Sequence, residues 1–311
     1  MPNDDIKTLI TTHKVGAIVL FLRNVGSASQ LLELTNSLQE IARSAGHEHG
    51  LFIAIDQENG LVTRIKPPIA AQLPGSMALG ATGDASSAFE VAIATSEVLK
   101  GFGINMNYGP IADINSEPKN PVIGVRSPSD DPEVVARFVS AQIKAFREGG
   151  IVSCAKHFPG HGDTAVDSHI GLPIISKSRA MLEGCEFIPF RRAAVEGIDS
   201  VMTAHISMPG IGDPKLSDDN PLKTLPASLN PDIIKILRED MKYAGVIISD
   251  CLEMDGVRAT YGTEKSAVLA VKVGSNHNIS ATGDTDKLSR QELIALWFVI
   301  PCLHRLELWN M

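Results

Sequence analysis

Short apolar runs alternate with longer amphipathic stretches along this chain. Val15-Gly16-Ala17-Ile18-Val19-Leu20-Phe21 is continuously apolar, as a strand buried on both faces must be. Over residues 27–44 the apolar positions Leu31, Leu34, Leu38 and Ile41 recur at helical spacing. Leu51-Phe52-Ile53-Ala54-Ile55-Asp56 is the next strand. Residues 84–99 predict a helix capped by Asp84, with Val91, Ala94 and Val98 on its inward stripe. A strand falls within 105–114. The helix over 132–148 starts at Pro132 and turns Val135, Val139, Ile143 and Phe146 inward. A strand at 152–158 follows, then a largely helical 178–196 that contains Pro189. Another strand spans 200–206. Asn230-Pro231 opens a helix carrying Ile233, Ile234, Leu237 and Met241, and 245–250 is the last clear strand.

Strand then helix, repeated at roughly 40–50 residues, predicts a parallel sheet with helical crossovers. The α/β class expected is a TIM-barrel-like (β/α)8 fold. The alternative, a doubly wound sheet, lacks its glycine-rich fingerprint after the first strand.

Composition narrows the function classes. The chain has 311 residues, 44% of them hydrophobic, enough for one large core or two modest ones. A net charge of -8 argues against nucleic-acid and anionic membrane partners. Cys154, Cys185, Cys251 and Cys302 form no close-spaced pair, which favours a reduced compartment. The opening Met1-Pro2-Asn3-Asp4-Asp5 is no signal peptide, and no apolar run reaches membrane-spanning length. A cytoplasmic location is expected.

The candidate chemistry gathers where strands end. In a barrel Asp56, Asp113, Lys156, His157, His205 and Asp250 would converge on one mouth. A charged residue closing an apolar strand is costly unless it is paired or working. Asp113 reads as structural, since Asp at such a junction caps turns. His205 reads as a wall or hydrogen-bonding residue. Arg64 and Arg126 either snorkel at the surface or bind ligand oxygens and hold carboxylates.

Lys156-His157-Phe158-Pro159-Gly160-His161-Gly162-Asp163-Thr164-Ala165-Val166-Asp167-Ser168-His169 is the densest ionisable stretch. It allows a solvated loop, a metal site or acid–base chemistry. Pro159 and Gly160 break the helix that would align His157 and His161 as metal ligands, so no metal is expected. Asp167 and His169 flank one serine, close enough for a carboxylate to orient an imidazole.

Together these residues resemble a known family. Lys156 to Gly162 with Asp167-Ser168-His169 looks like the signature of the glycoside hydrolase family 3 β-N-acetylhexosaminidases. Asp56-Gln57-Glu58-Asn59-Gly60, Ile123-Gly124-Val125-Arg126-Ser127, Met202-Thr203-Ala204-His205 and Ile248-Ser249-Asp250 match further family blocks in order. The resemblance implies retaining hydrolysis of terminal β-linked N-acetylglucosamine from a carbohydrate substrate, without a cofactor. Asp250 would be the nucleophile, His169 the general acid/base and Asp167 its partner. Asp56, Arg64, Arg126, Lys156 and His157 would bind the sugar. A phosphorylase acting on the same bond and an inactive sugar-binding remnant remain as alternatives.

The sequence departs from the family at Asn59-Gly60-Leu61, where many relatives carry Gly-Gly-Arg, and at both ends. No strand precedes the helix starting near Asp4. The region expected to form the eighth strand, residues 274–282, is polar. A barrel-type domain over 1–273 with a non-family tail over 274–311 is therefore expected. That barrel would be incomplete, its first strand absent and its eighth degraded, as from truncation, missplicing or a gene-model error.

Overall fold

A computed structural model describes residues 2–164, 167–168, 171–211 and 224–273. Its six strands are β1 (Ala17–Leu20), β2 (Phe52–Ile55), β3 (Met106–Asn107), β4 (Val152–Phe158), β5 (Ser200–Thr203) and β6 (Val246–Ser249). They lie side by side in chain order, every neighbouring pair parallel. A doubly wound sheet would reverse its order at a switch point. This one does not, so the alternative fold is set aside. Residues from β1 and residues just past β6 line one cavity, which means the sheet curls as a TIM-type barrel does. Among the described residues β1 and β6 are the two edges of this partial barrel. The proposed eighth strand and the tail lie outside the described residues.

The helices are α1 (Asp4–Thr11), α2 (Ala28–Ser44), α3 (Ser76–Gly80), α4 (Ala85–Gly101), α5 (Pro132–Gly149), α6 (Arg179–Glu183), α7 (Phe187–Val195), α8 (Pro231–Lys235), α9 (Asp255–Tyr261) and α10 (Thr263–Lys272). Their starts follow the sequence. The side chains of Asn3, Ser27, Asp84, Asp131, Ser178 and Asn230 each accept an otherwise unpaired backbone N–H of the first turn. Pro132 and Pro231 sit in the first turn, where a missing N–H costs nothing. Pro189 is explained the same way. The stretch 178–196 is two helices broken at Gly184-Cys185-Glu186, and Pro189 falls in the first turn of α7. No helix among the described residues is long and apolar enough to cross a membrane.

Two apolar clusters back the sheet. One joins α1 and α2 to β1 and β2 through Ile6, Ile10, Leu31, Leu34, Leu38, Ile18 and Ile53. The other joins α5 and α7 to β4 and β5 through Val139, Ile143, Phe158, Phe187, Phe190 and Val201. Phe158 stacks on Phe187 at 5.8 Å between centroids and meets Phe190 edge-on at 5.2 Å. The predicted stripe of α4 is wrong by a rotation of the helix. The buried face is Ala88, Ala92, Thr95, Ser96 and Leu99, while Val91, Ala94 and Val98 are only partly covered. Small residues win because α5 runs close. A Cβ on Gly149 would lie 2.4 Å from the Ser96 Cβ.

Two strands are shorter than expected. β3 stops at Asn107 because Pro110 has no N–H to continue the ladder. Bonds to β4 nevertheless continue past it, the Cys154 and Lys156 N–H groups donating to the Gly109 and Pro110 carbonyls and the Ala112 N–H to the Lys156 carbonyl, 2.8 Å away. β5 ends at Thr203, and 204–206 turns toward the loop at 226–228.

Truncating Phe190 to alanine empties the space between β4 and α7. We expect Phe190→Ala to cost about 3–5 kcal/mol in urea unfolding. Val195→Ser, at a site 84% exposed, should stay within about 0.5 kcal/mol of the parent. A loss below about 1 kcal/mol for Phe190→Ala would contradict this packing.

Candidate active site

The centre of the site is a bulge in β4. Ala155 pairs with Val201 and Phe158 with Thr203, so Lys156 and His157 together oppose the single residue Met202. A regular strand would send successive side chains to opposite faces. The bulge re-aims them, and both Lys156 and His157 line the cavity. The peptide between them is cis.

Lys156 anchors a ladder of alternating charges. Its Nζ donates to Asp56 Oδ1 at 2.6 Å and approaches Glu58 Oε1 at 2.8 Å. Arg126 grips Glu58 through Nε and Nη2, both at 2.8 Å, and its Nη1 donates to the Val122 carbonyl. Arg64 Nη2 stands 3.5 Å from Asp56 Oδ2. The Glu58 and Lys156 side chains are each only 3% exposed. Burial opposes ionisation of Asp56 and Glu58. Lys156 and the arginines outweigh it, so both carboxyls lie below the usual carboxylate range. Burial likewise pushes Lys156 down, and the two carboxylates more than restore it. The ladder holds one more cation than anion, with Arg64 Nε buried and unpartnered.

Asp113 organises a second network. Completely buried, its carboxylate accepts from the backbone N–H of His157 at 3.1 Å and of His161 at 2.7 Å. Its Oδ2 lies 2.7 Å from His157 Nδ1. Burial raises its carboxyl, and the two histidines and these donors more than reverse that. The structural role expected for Asp113 is therefore larger than a turn cap, since it fixes the chain on both sides of Pro159-Gly160. His205 takes the hydrogen-bonding half of its expected role and is not a wall residue of the cavity, with Nδ1 2.7 Å from Ser228 Oγ and Nε2 2.9 Å from the Cys251 carbonyl.

Asp250 follows β6 directly. Its backbone N–H donates to the Thr203 carbonyl and its Oδ1 accepts from the Cys251 N–H at 2.7 Å. Burial pushes its carboxyl up. His157, His205, the Cys251 amide and Lys156 pull it below the usual range. Beside it, burial reinforced by Asp250 itself pushes the Cys251 thiol up to about 12, so that sulfur stays neutral.

These residues share one open cavity of about 700 Å³. Asp56, Arg64, Arg126, Lys156, His157 and Asp250 all line it, whereas Asp113 and His205, expected at the same mouth, are fully buried and do not. Asp167 lies beside the cavity wall at Ser168, its carbonyl accepting from the Gly171 N–H at 3.1 Å. His169 lies outside the described residues. Among the described residues no three His, Cys, Asp or Glu side chains converge as metal ligands.

Sequence reasoning missed three members. Glu58 sits two residues past Asp56, which on an extended segment puts it on the same side. His161 is completely buried, and burial with the neighbouring His157 lowers its imidazole to about 4. Asn120 Nδ2 donates to the carbonyls of His161 and Gly162 at 2.9 and 3.0 Å while its side-chain Oδ1 accepts from the Val122 and Ile123 N–H groups. The signal for Asn120 was its place before Pro121, where a side-chain turn is favoured.

Known proteins resemble this chain in sequence and fold. The beta-hexosaminidase A of Pseudoalteromonas piscicida is 40% identical over 279 residues, covering 87% of this chain and 46% of that protein. A beta-hexosaminidase of Neisseria meningitidis is 35% identical, covering 87% of this chain and 72% of that one. The chain thus spans about half of the first relative's length. Among solved structures, a glycoside hydrolase family 3 beta-N-acetylglucosaminidase from Paenibacillus superimposes with a TM-score of 0.83 at 38% identity, over 94% of this chain and 57% of that one. NagZ from Neisseria gonorrhoeae superimposes with a TM-score of 0.75 at 32% identity, over 88% and 76%. The sequence matches the glycosyl hydrolase family 3 N-terminal domain over residues 1–296, and the chain belongs to that family.

Proposed function

We propose that this chain carries the catalytic domain of a retaining β-N-acetylglucosaminidase. One observation carries the choice of nucleophile. Four carboxyls at or just behind the mouth lie below the usual carboxylate range and are ionised at neutral pH: Asp56, Glu58, Asp113 and Asp250. The first three are engaged by Lys156, Arg64, Arg126 or His157. Among the described residues Asp250 alone of the four has no Lys, Arg or His side chain within bonding distance, and its one hydrogen-bond donor is an amide. An ionised oxygen is therefore available to the cavity.

In this reading Asp250 attacks the anomeric carbon as the glycosidic bond breaks. His169 gives a proton to the leaving oxygen, with Asp167 holding the imidazole and stabilising its charge. The same histidine then takes a proton from water, which displaces Asp250 and releases the sugar. Two inversions give net retention. The motif spacing supports His169 and Asp167 in these roles. An imidazolium gives up its proton near working pH without large tuning, and the imidazole left behind can take one from water, which suits the exchange of roles. Asp56, Arg64, Arg126, Lys156 and His157 bind the hydroxyls of the terminal N-acetylglucosamine. Their ion pairs orient them before the sugar arrives, so little is spent on ordering the site.

Asp250→Ala should lower turnover of an aryl N-acetylglucosaminide by roughly 10⁴-fold or more with the fold intact by circular dichroism. Turnover within tenfold of the parent would remove Asp250 from the nucleophile role. The same assay run with and without inorganic phosphate distinguishes acceptors. Release independent of phosphate is expected, and strict dependence would make phosphate the acceptor in place of water.

Glu58→Gln leaves Lys156 and Arg126 buried beside a neutral amide. A loss of about 3 kcal/mol in stability is expected, together with a raised KM. The pH dependence has a definite sign. The folded Glu58 carboxyl is depressed, so its stabilisation is complete above the unfolded value of about 4.3 and is lost as pH falls through the lower folded value. In that window the unfolded chain binds more protons, and stability rises with pH. Thermal melting of Glu58→Gln should accordingly fall less steeply with acid than that of the parent. Equal slopes would count against the ionised ladder.

A further inference from the structure

Ser168 stands between the two residues proposed as the acid/base pair, yet its side chain turns away from water. It is 1% exposed, and its Oγ lies 3.0 Å from His161 Nε2. The proton count fixes the direction of that bond. Thr164 Oγ1 donates its one proton to the His161 carbonyl at 3.0 Å and lies 2.8 Å from His161 Nδ1. With that proton spent, Nδ1 must carry the ring hydrogen and donate to Thr164. Nε2 is then the acceptor, and the Ser168 hydroxyl donates to it.

The main chain of Ser168 is held from the other side. Its carbonyl accepts from the Gly256 N–H at 3.1 Å, in the first turn of α9. That helix follows the loop opened by Asp250. The approach requires glycine, since a Cβ at 256 would lie 2.9 Å from the Ser168 oxygen and 3.1 Å from that of Gly171. Ser168 thus bridges two elements. His161 belongs to the end of β4 and is itself fixed by Asp113 and Asn120. Gly256 belongs to the segment that carries the nucleophile.

We propose that Ser168 is a positioning residue whose side-chain bond to His161 and main-chain bond to Gly256 set the distance between Asp250 and Asp167, the proposed partner of the acid/base histidine. The proposal rests on the glycosidase reading and adds to it. The residue touches no substrate in this account. Its contribution is to proton transfer, which depends on where the imidazole sits relative to the leaving oxygen. Loss of the clamp should therefore appear only where protonation of the leaving group limits the rate.

The test compares the full chain carrying Ser168→Ala, Ser168→Thr or Gly256→Ala on two substrates. One is chitobiose, whose sugar leaving group needs a proton. The other is 4-nitrophenyl N-acetylglucosaminide, whose leaving group does not. With Ser168→Ala we expect kcat on chitobiose to fall about tenfold or more and kcat on the aryl glycoside to stay within about threefold. Gly256→Ala should give the same asymmetry by pushing the segment outward, and Ser168→Thr, which keeps the hydroxyl, should recover most of the loss. Should Ser168→Ala fail to fold, Gly256→Ala and Ser168→Thr carry the comparison. An active parent with variants that match it, or that lose both activities equally, overturns the clamp while leaving the glycosidase reading intact. A parent inactive on both substrates overturns that reading and the clamp with it.

Discussion

One lysine between two carboxylates, buried at the end of a strand, is the constraint on which the rest of this site depends. Lys156 cannot be left unpaired where it stands, because its side chain is 3% exposed. Asp56 and Glu58 satisfy it, and Glu58 in turn needs Arg126. Each ion is tolerable only because the next is present. The chain of dependence joins the ends of β2 and β4 to the loop after β3. It turns the C-terminal ends of these interior strands into a polar floor.

The same economy governs the histidine side of the cavity. Asp113 spends its carboxylate on two backbone N–H groups and one imidazole, so it cannot act on a substrate. His161 spends both ring nitrogens on hydroxyls. What remains uncommitted is informative. Asp250 keeps an ionised oxygen toward the cavity, and its neighbour Cys251 stays a neutral thiol. With Asp56, Glu58 and Asp113 engaged by neighbouring side chains, Asp250 is the carboxylate that the proposed function takes as its nucleophile.

The fold was legible in the sequence wherever burial on both faces left a continuous apolar run, as in β1, β2 and β6. It was less legible where a second helix competed for the same face. The small residues Ala88, Ala92 and Ser96 take the buried side of α4 because α5 approaches closely, and a hydrophobic stripe cannot register that. Asp56, Lys156, His157 and Asp250 were visible because each closes an apolar strand. Glu58 was hidden because its meaning depends on Arg126, 68 residues further along the chain. His161 was read against a metal site and judged by helical spacing, whereas its role is set by a carboxylate and two hydroxyls brought together by folding.

The central claim is that Asp250 forms a bond to the sugar and that water later displaces it. The stereochemistry of the first-formed product reads that directly. Proton NMR of chitobiose hydrolysis, recorded before mutarotation, should show the β-anomer of N-acetylglucosamine released from the non-reducing end. Initial appearance of the α-anomer there would mean a single displacement by water and would contradict the account.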